Sequence, residues 1–275
     1  MKYRWVPLLP DQEKVKLLVS ELGISHFLAG LLVNRGFSQP ESAEAFLNPC
    51  LEMLHDPMLM KGMRETLERI ARALEHGEKF LIYGDYDVDG ITSTVVLRRA
   101  LEMLGGEVDY HIPLRLDDGY GFKNEVLESA AASGVKLVIS VDCGIREIDA
   151  CRFARELGMD VIVTDHHLPG DELPAVTSIL NPRQPDCEYP DKNLAAVGVV
   201  FKLVQALFES RDRKAVVPHF LKVVAIGTVA DMVPLIGENR VIVRHGLSSL
   251  SDSHNLGLKA LLDGAGVGKV VDNFD

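Results

Sequence analysis

Apolar positions in the first part of the chain recur at helical spacing. In 12–22, Val15, Leu18, Val19 and Leu22 fall at i, i+3, i+4 and i+7, which predicts an amphipathic helix stopped by Gly23. The segments 26–35 and 40–47 predict two more short helices, the second opened by Pro40 with Glu41 in its first turn. The run 55–60 (HDPMLM) reads as a connector. Leu67, Ile70, Ala71 and Leu74 then restore the helical period until Gly77. From residue 79 the pattern changes to short unbroken apolar runs alternating with helical stretches. Strands are predicted at 79–85, 107–113, 136–142, 160–167 and 177–182. Helices are predicted near 92–104 and 123–133, along Ile145, Ile148, Cys151, Ala154 and Leu157, and near 194–210 and 218–230. Apolar strands alternating with helices predict an α/β fold: a parallel sheet with helices on both faces, preceded by a small helical N-terminal region. The expected divisions are a helical region over 1–60, an α/β core over 61–250, and a Gly-rich, polar stretch over 251–275 that reads as a linker or the start of a further domain.

Composition changes this picture little. The chain has 275 residues, 47% hydrophobic and 25% charged, which excludes disorder and collagen-like repeats. Apolar runs fall short of the roughly 20 residues of a membrane span, so no membrane association is expected. The four cysteines, Cys50, Cys143, Cys151 and Cys187, form no CxxC pair, which points to reduced thiols and a cytoplasmic setting. Charge changes the picture more. With 29 Lys+Arg against 40 Asp+Glu the formal net charge is −11, so a polyanionic partner must be held locally, by a few cations or by metal ions.

In open parallel sheets, ligands bind beyond the carboxyl ends of the strands. The first strand runs into Asp85-Tyr86-Asp87-Val88-Asp89-Gly90, the third into Asp142, and the fourth into Asp165-His166-His167. Asp231, after an apolar helix, is placed to close the group from the side. An EF-hand reading of DxDxDG fails, because position 12 is Val96 where a bidentate Glu is required and a strand precedes the loop. Taken singly, the aspartates could be helix caps and the histidines packing residues. Independent caps have no reason to gather on one sheet edge. Clustered carboxylates repel one another and raise each other's pKa, so the group calls for cations among them. Two divalent ions bridged by a shared carboxylate such as Asp142 are the arrangement of two-metal phosphoryl chemistry. An oxygen-rich set with one or two imidazoles favours Mn²⁺, with Mg²⁺ as the harder alternative. The expected reaction is hydrolysis at phosphorus.

These residues, with the stretches LIYGDYDVDGITST, Gly119-Tyr120-Gly121, SVDCGI, VTDHH, ILNPRQPDCEYP, LAAVGVVFKL and GTVADMVPL, resemble the DHH phosphoesterase superfamily. Within it they are similar to RecJ-type single-strand-specific DNA exonucleases, in family order over roughly 55–250. The resemblance implies one ion near Asp87 and Asp142 and a second near Asp89, Asp142, His166 and Asp231. Asp85 is implied as a ligand or as a group behind the ligands, Asp165 as the residue that orients an imidazole, and His167 as the group facing the scissile phosphate. Arg115 is a candidate phosphate contact. The implied activity is 5′→3′ hydrolysis of single-stranded DNA in repair and recombination, with a single-strand-binding protein as partner by family analogy. The resemblance also implies a further C-terminal substrate-binding domain that residues 251–275 do not supply. Two rival readings stand beside it. Small-substrate members, acting on short oligonucleotides, cyclic dinucleotides or pyrophosphate, usually carry a His where this chain has Tyr83. Non-catalytic relatives typically lose the motif aspartates that this chain keeps.

Overall fold

The computed structural model describes residues 4, 6–114, 121–250 and 255–267. The chain divides into two compact units, 1–53 and 54–275. In the first, α1 (Gln12–Leu22), α2 (His26–Asn34) and α3 (Pro40–Leu47) pack through Val15, Leu18, Ala29, Leu32 and Ala43. Local chemistry sets their ends. Asp11 caps α1 by accepting the Glu13 and Lys14 N–H groups, and Ser25 caps α2 by accepting that of Leu28.

The second unit is built on a five-stranded, all-parallel sheet in the order β2-β1-β3-β4-β5. The strands are β1 (Lys79–Gly84), β2 (Glu107–His111), β3 (Val135–Val141), β4 (Asp160–Thr164) and β5 (Ser178–Leu180). Helix α4 (Met63–Glu75) precedes them, and between and after them run α5 (Val88–Met103), α6 (Asn124–Ala132), α7 (Ile148–Glu156), α8 (Ala196–Glu209), α9 (Leu221–Ala230), α10 (Gly237–Ser248) and α11 (Leu256–Gly264). One sheet face, through Leu81, Tyr83, Val138, Val161 and Val163, packs with Leu127 and Ala130 of α6 and Cys151 and Ala154 of α7. From the other side, helix α5 contacts β1 and β3, and α8 contacts β3 and β4. Because β1, β3 and β4 are covered on both faces, they are apolar without alternation. Among the described residues no helix is long and apolar enough to cross a membrane.

Several boundaries differ from the sequence expectations, each for a local reason. Helix α5 begins at Val88 rather than 92, because Asp87 caps it by accepting the Gly90 N–H at 2.9 Å. Ile145 lies outside α7, which starts at Ile148, since Asp142 and Gly144 take positive φ (63° and 109°) and turn the chain. β4 ends at Thr164; the Asp165 N–H still bonds to the Leu180 carbonyl of β5 at 3.0 Å, and His166 and His167 lie beyond the strand. Residues 214–220 form a 3₁₀ turn containing Pro218, so α9 starts only at Leu221. Helices α10 and α11 have no counterpart in the expected pattern. Buried Glu238 and Asn239 mask the amphipathic pattern of α10, and residues 256–264 of the expected linker stretch form α11.

Candidate metal centre

Each strand end delivers its side chains for a reason visible in the backbone. After β1 the chain turns directly into α5, and a Cβ on Gly90 would lie 2.5 Å from the Asp85 carbonyl oxygen. Only glycine allows that approach, which keeps Asp85, Asp87 and Asp89 together over one helical turn. After β3, Asp142 adopts φ 63° while its N–H still bonds to the Thr164 carbonyl at 3.0 Å. This is a left-handed conformation that Asp tolerates better than most residues, and it turns the chain at the sheet edge. On the α9 side, Gly227 brings the helix against Thr92 of α5, and Asp231 follows one turn later.

The structure brings Asp85, Asp87, Asp89, Asp142, Asp165, His166, His167 and Asp231 to one edge. In each of three sets the potential metal-donor atoms lie within 4.8 Å of one another: Asp85, Asp87 and Asp142; Asp142, His166 and His167; and Asp89, His166 and Asp231. His166 Nε2 is 3.4 Å from Asp142 Oδ1 and 4.0 Å from Asp89 Oδ2, and its Nδ1 is 3.8 Å from Asp231 Oδ2. Asp142 and His166 are thus each shared between two sets. Arg115 lies outside the described residues.

Asp165 is bound differently from the rest. Its Oδ1 accepts from His166 N at 2.7 Å, His167 N at 3.0 Å and His167 Nδ1 at 2.8 Å, and its Oδ2 accepts from Ile145 N at 3.0 Å. Burial alone would raise its pKa, but these hydrogen bonds and the His167 charge hold it below the ordinary value. The hydrogen bond to Asp165 in turn raises the His167 pKa, against the opposing effect of burial. His167 and Asp165 also line a hollow of about 190 Å³ with Gly144, Ile145, Arg146 and Glu147.

The other carboxyls are pushed up, in each case first by burial. Asp142 reaches about 11, with the charges of Asp89 and Asp87 adding to burial. Asp89 reaches about 7, held down in part by the Val197 and Ala196 N–H groups at 2.8 and 2.7 Å. Asp231 reaches about 6, with the Asp87 charge adding to burial, and Asp85 is raised as well. His166 falls to about 4, through burial and then the neighbouring His167, so its imidazole is neutral at pH 7. Asp142 Oδ1, His166 Nδ1 and Asp231 Oδ2 are buried without a hydrogen-bond partner. Orphaned oxygens and a neutral ring nitrogen facing one another fit a divalent cation.

Three contributors went unrecognised in the sequence. Asn181 Nδ2 donates to the His167 carbonyl at 2.9 Å, and its Oδ1 accepts the Arg183 N–H at 2.8 Å. Arg183, two residues further on, is held to the strand end by that second bond. The N-terminus of α8 clamps both oxygens of Asp89. The NPR and LAAVG stretches carry these groups, but nothing in their spacing ties them to a strand end more than a dozen residues away.

The parallel sheet brings to one edge a strand-end cluster whose donors could hold divalent cations. The DHH family, N-terminal domain, matches residues 79–228, more than half of the chain, and the chain belongs to this family. Its sequence is 47% identical over 271 residues to the single-stranded-DNA-specific exonuclease RecJ of Bacillus subtilis (strain 168), covering 98% of this chain and 34% of that protein. The fold superposes on RecJ in complex with Mn²⁺ from Thermus thermophilus with a TM-score of 0.79, 32% identity, and coverage of 95% of this chain and 37% of that one. RecJ in complex with Mg²⁺ from the same organism gives a TM-score of 0.68 at 29% identity, with coverage of 95% and 33%. The chain spans about a third of the length of the curated relatives it matches.

Proposed function

We propose that this chain is the metal-binding core of a single-strand-specific DNA exonuclease that hydrolyses phosphodiester bonds from 5′ ends, in repair and recombination. The observation that carries the reading is the three donor sets linked through Asp142 and His166, with orphaned buried atoms on Asp142, His166 and Asp231. Asp85, Asp87 and Asp142 are assigned to one divalent cation, and Asp89, Asp142, His166 and Asp231 to the second, Mn²⁺ before Mg²⁺. When bound, two such ions would polarise the scissile phosphoryl group and lower the pKa of water between them. The protein's own groups do the rest. Asp165 fixes the His167 ring through Nδ1 and favours its protonated form, in which Nε2 can give a proton and a positive charge to the phosphate or its leaving oxygen. His166, neutral, remains a lone-pair donor. The α8 N–H groups keep Asp89 in place whether or not an ion is bound. Relatives named as single-stranded-DNA-specific exonucleases support the substrate class. The 5′→3′ direction and a single-strand-binding partner rest on the family resemblance. A cytoplasmic setting is supported by free thiols at Cys143, Cys151 and Cys187.

The test is hydrolysis of 5′- and 3′-labelled single strands and of duplex, with chelator or Mn²⁺, by the chain and by D142A. Release of nucleotides from single-stranded 5′ ends that needs metal is expected. D142A should lose more than ~100-fold in rate together with Mn²⁺ stoichiometry. Full hydrolysis by D142A in Mn²⁺ would overturn the assignment.

A further inference from the structure

The turn after β5 carries an arginine that the mechanism above leaves unused. The N–H of Arg183 donates to Asn181 Oδ1 at 2.8 Å, and Asn181 Nδ2 donates to the His167 carbonyl at 2.9 Å. Arg183 Nε donates to the Lys192 carbonyl at 2.9 Å. Two hydrogen bonds in series therefore tie this residue to the strand end that bears both histidines, and a third holds the base of its guanidinium. Its two terminal nitrogens make no hydrogen bond or ion pair among the described residues. Arg146 is held likewise, by Nε on the Leu168 carbonyl at 2.9 Å, in a chain of net charge −11. Arg69, Arg98 and Arg152 all lie within ion-pair distance of carboxylates. The Arg183 charge is near enough to act on both His166 and Asp231. A fixed guanidinium with its fork unspent, on the rim of a carboxylate cluster, suits an incoming oxyanion, because arginine binds phosphate oxygens in bidentate fashion.

We propose that Arg183 holds a backbone phosphate of the single strand beside the metal edge, setting the register of the substrate on the β5 side of His167. This deepens the nuclease reading and rests on it.

The experiment measures the affinity of a fluorescent single-stranded oligonucleotide of about 20 nucleotides over a salt series, with Ca²⁺ in place of Mn²⁺, for the chain, R183Q, R183K and R155Q. Arg155 lies on α7 with its Nη1 on the Ala175 carbonyl, so R155Q removes the same charge away from the site. Losing one phosphate contact on a single strand should lower the slope of log affinity against log salt by about 0.7 in R183Q. Affinity should fall about 10- to 100-fold, the loss of a charged hydrogen bond. R155Q should match the parent. R183K keeps the charge but not the fork, so it should keep the slope while binding about tenfold more weakly. An unchanged slope and affinity in R183Q, or equal losses in R183Q and R155Q, would overturn the proposal, as would a parent chain that binds no strand. Should R183Q fail to fold, judged by its Mn²⁺ stoichiometry, parental affinity in R183K would overturn it. Cleavage in Mn²⁺ is scored separately: a parent that binds with the expected slope but never hydrolyses refutes the nuclease reading and leaves the phosphate contact standing.

Discussion

Replacing Asp231 with Asn should abolish metal binding at its site and yet make the metal-free protein more stable at neutral pH. Asp231 has a carboxyl pKa of about 6 in the fold against an ordinary 3.8, raised by burial and by Asp87. A raised folded pKa means the native state holds its proton longer than the unfolded chain does. The stability tied to that proton is therefore fully present below about 3.8 and is lost as pH rises through about 6. Roughly two pKa units at about 1.4 kcal/mol each give a ceiling near 3 kcal/mol. The side chain is 19% exposed, so solvent trims this to about 2–3 kcal/mol. Asn has the same shape and no proton to lose. In chelator, the stability of D231N relative to the parent should therefore rise by that amount between about pH 4 and pH 8. At the upper end this is a gain of roughly 5 °C in Tm. With Mn²⁺ at about 1,000 times its Kd the order should reverse, because the parent gains about 4.1 kcal/mol and the variant does not. Thermal unfolding by circular dichroism at both pH values, with chelator and with Mn²⁺, reads all four numbers. A pH-independent difference in chelator, or full Mn²⁺ stabilisation of D231N, would refute the electrostatic account of the cluster.

Other consequences follow from named contacts. D165N weakens the acceptor for His167 Nδ1, so the His167 pKa should drop toward its ordinary value and kcat should fall about 10- to 100-fold, with the alkaline limb of the pH–rate profile moving to lower pH. An unmoved limb would remove His167 from the reaction. Away from the metal edge, Lys202 Nζ is fully buried and donates to Glu238 Oε1 at 3.1 Å and to the His55 carbonyl at 2.6 Å, while Tyr189 OH donates to Glu238 Oε2. K202M leaves Glu238 buried with an uncompensated charge and should cost about 3–5 kcal/mol in denaturant unfolding, with Mn²⁺ stoichiometry unchanged once folded. A loss below about 1 kcal/mol would show that the pair contributes little.

What was legible in the sequence follows from local rules. Apolar runs bounded by glycines and caps located the five strands, and strands separated by helices implied parallel pairing. The residues at the strand ends were readable for the same reason, because a parallel sheet sends every carboxyl end to one side and so makes Asp87, Asp142 and His166 neighbours from connectivity alone. The start of α5 was misplaced because a capping aspartate and a metal-ligating aspartate look alike in a string. Helix α10 went unread because its buried polar residues, Glu238 and Asn239, answer to Asp191, Tyr189 and Asn193, which lie 45 or more positions earlier. The tertiary structure alone decided which oxygens are already occupied. Asp165 spends both of its oxygens on the protein, Asp89 is clamped by α8, and Asp142 and Asp231 keep an oxygen in reserve. Residue type says that a carboxylate can bind a cation; whether it does depends on hydrogen-bond donors brought from distant segments, and only folding brings them.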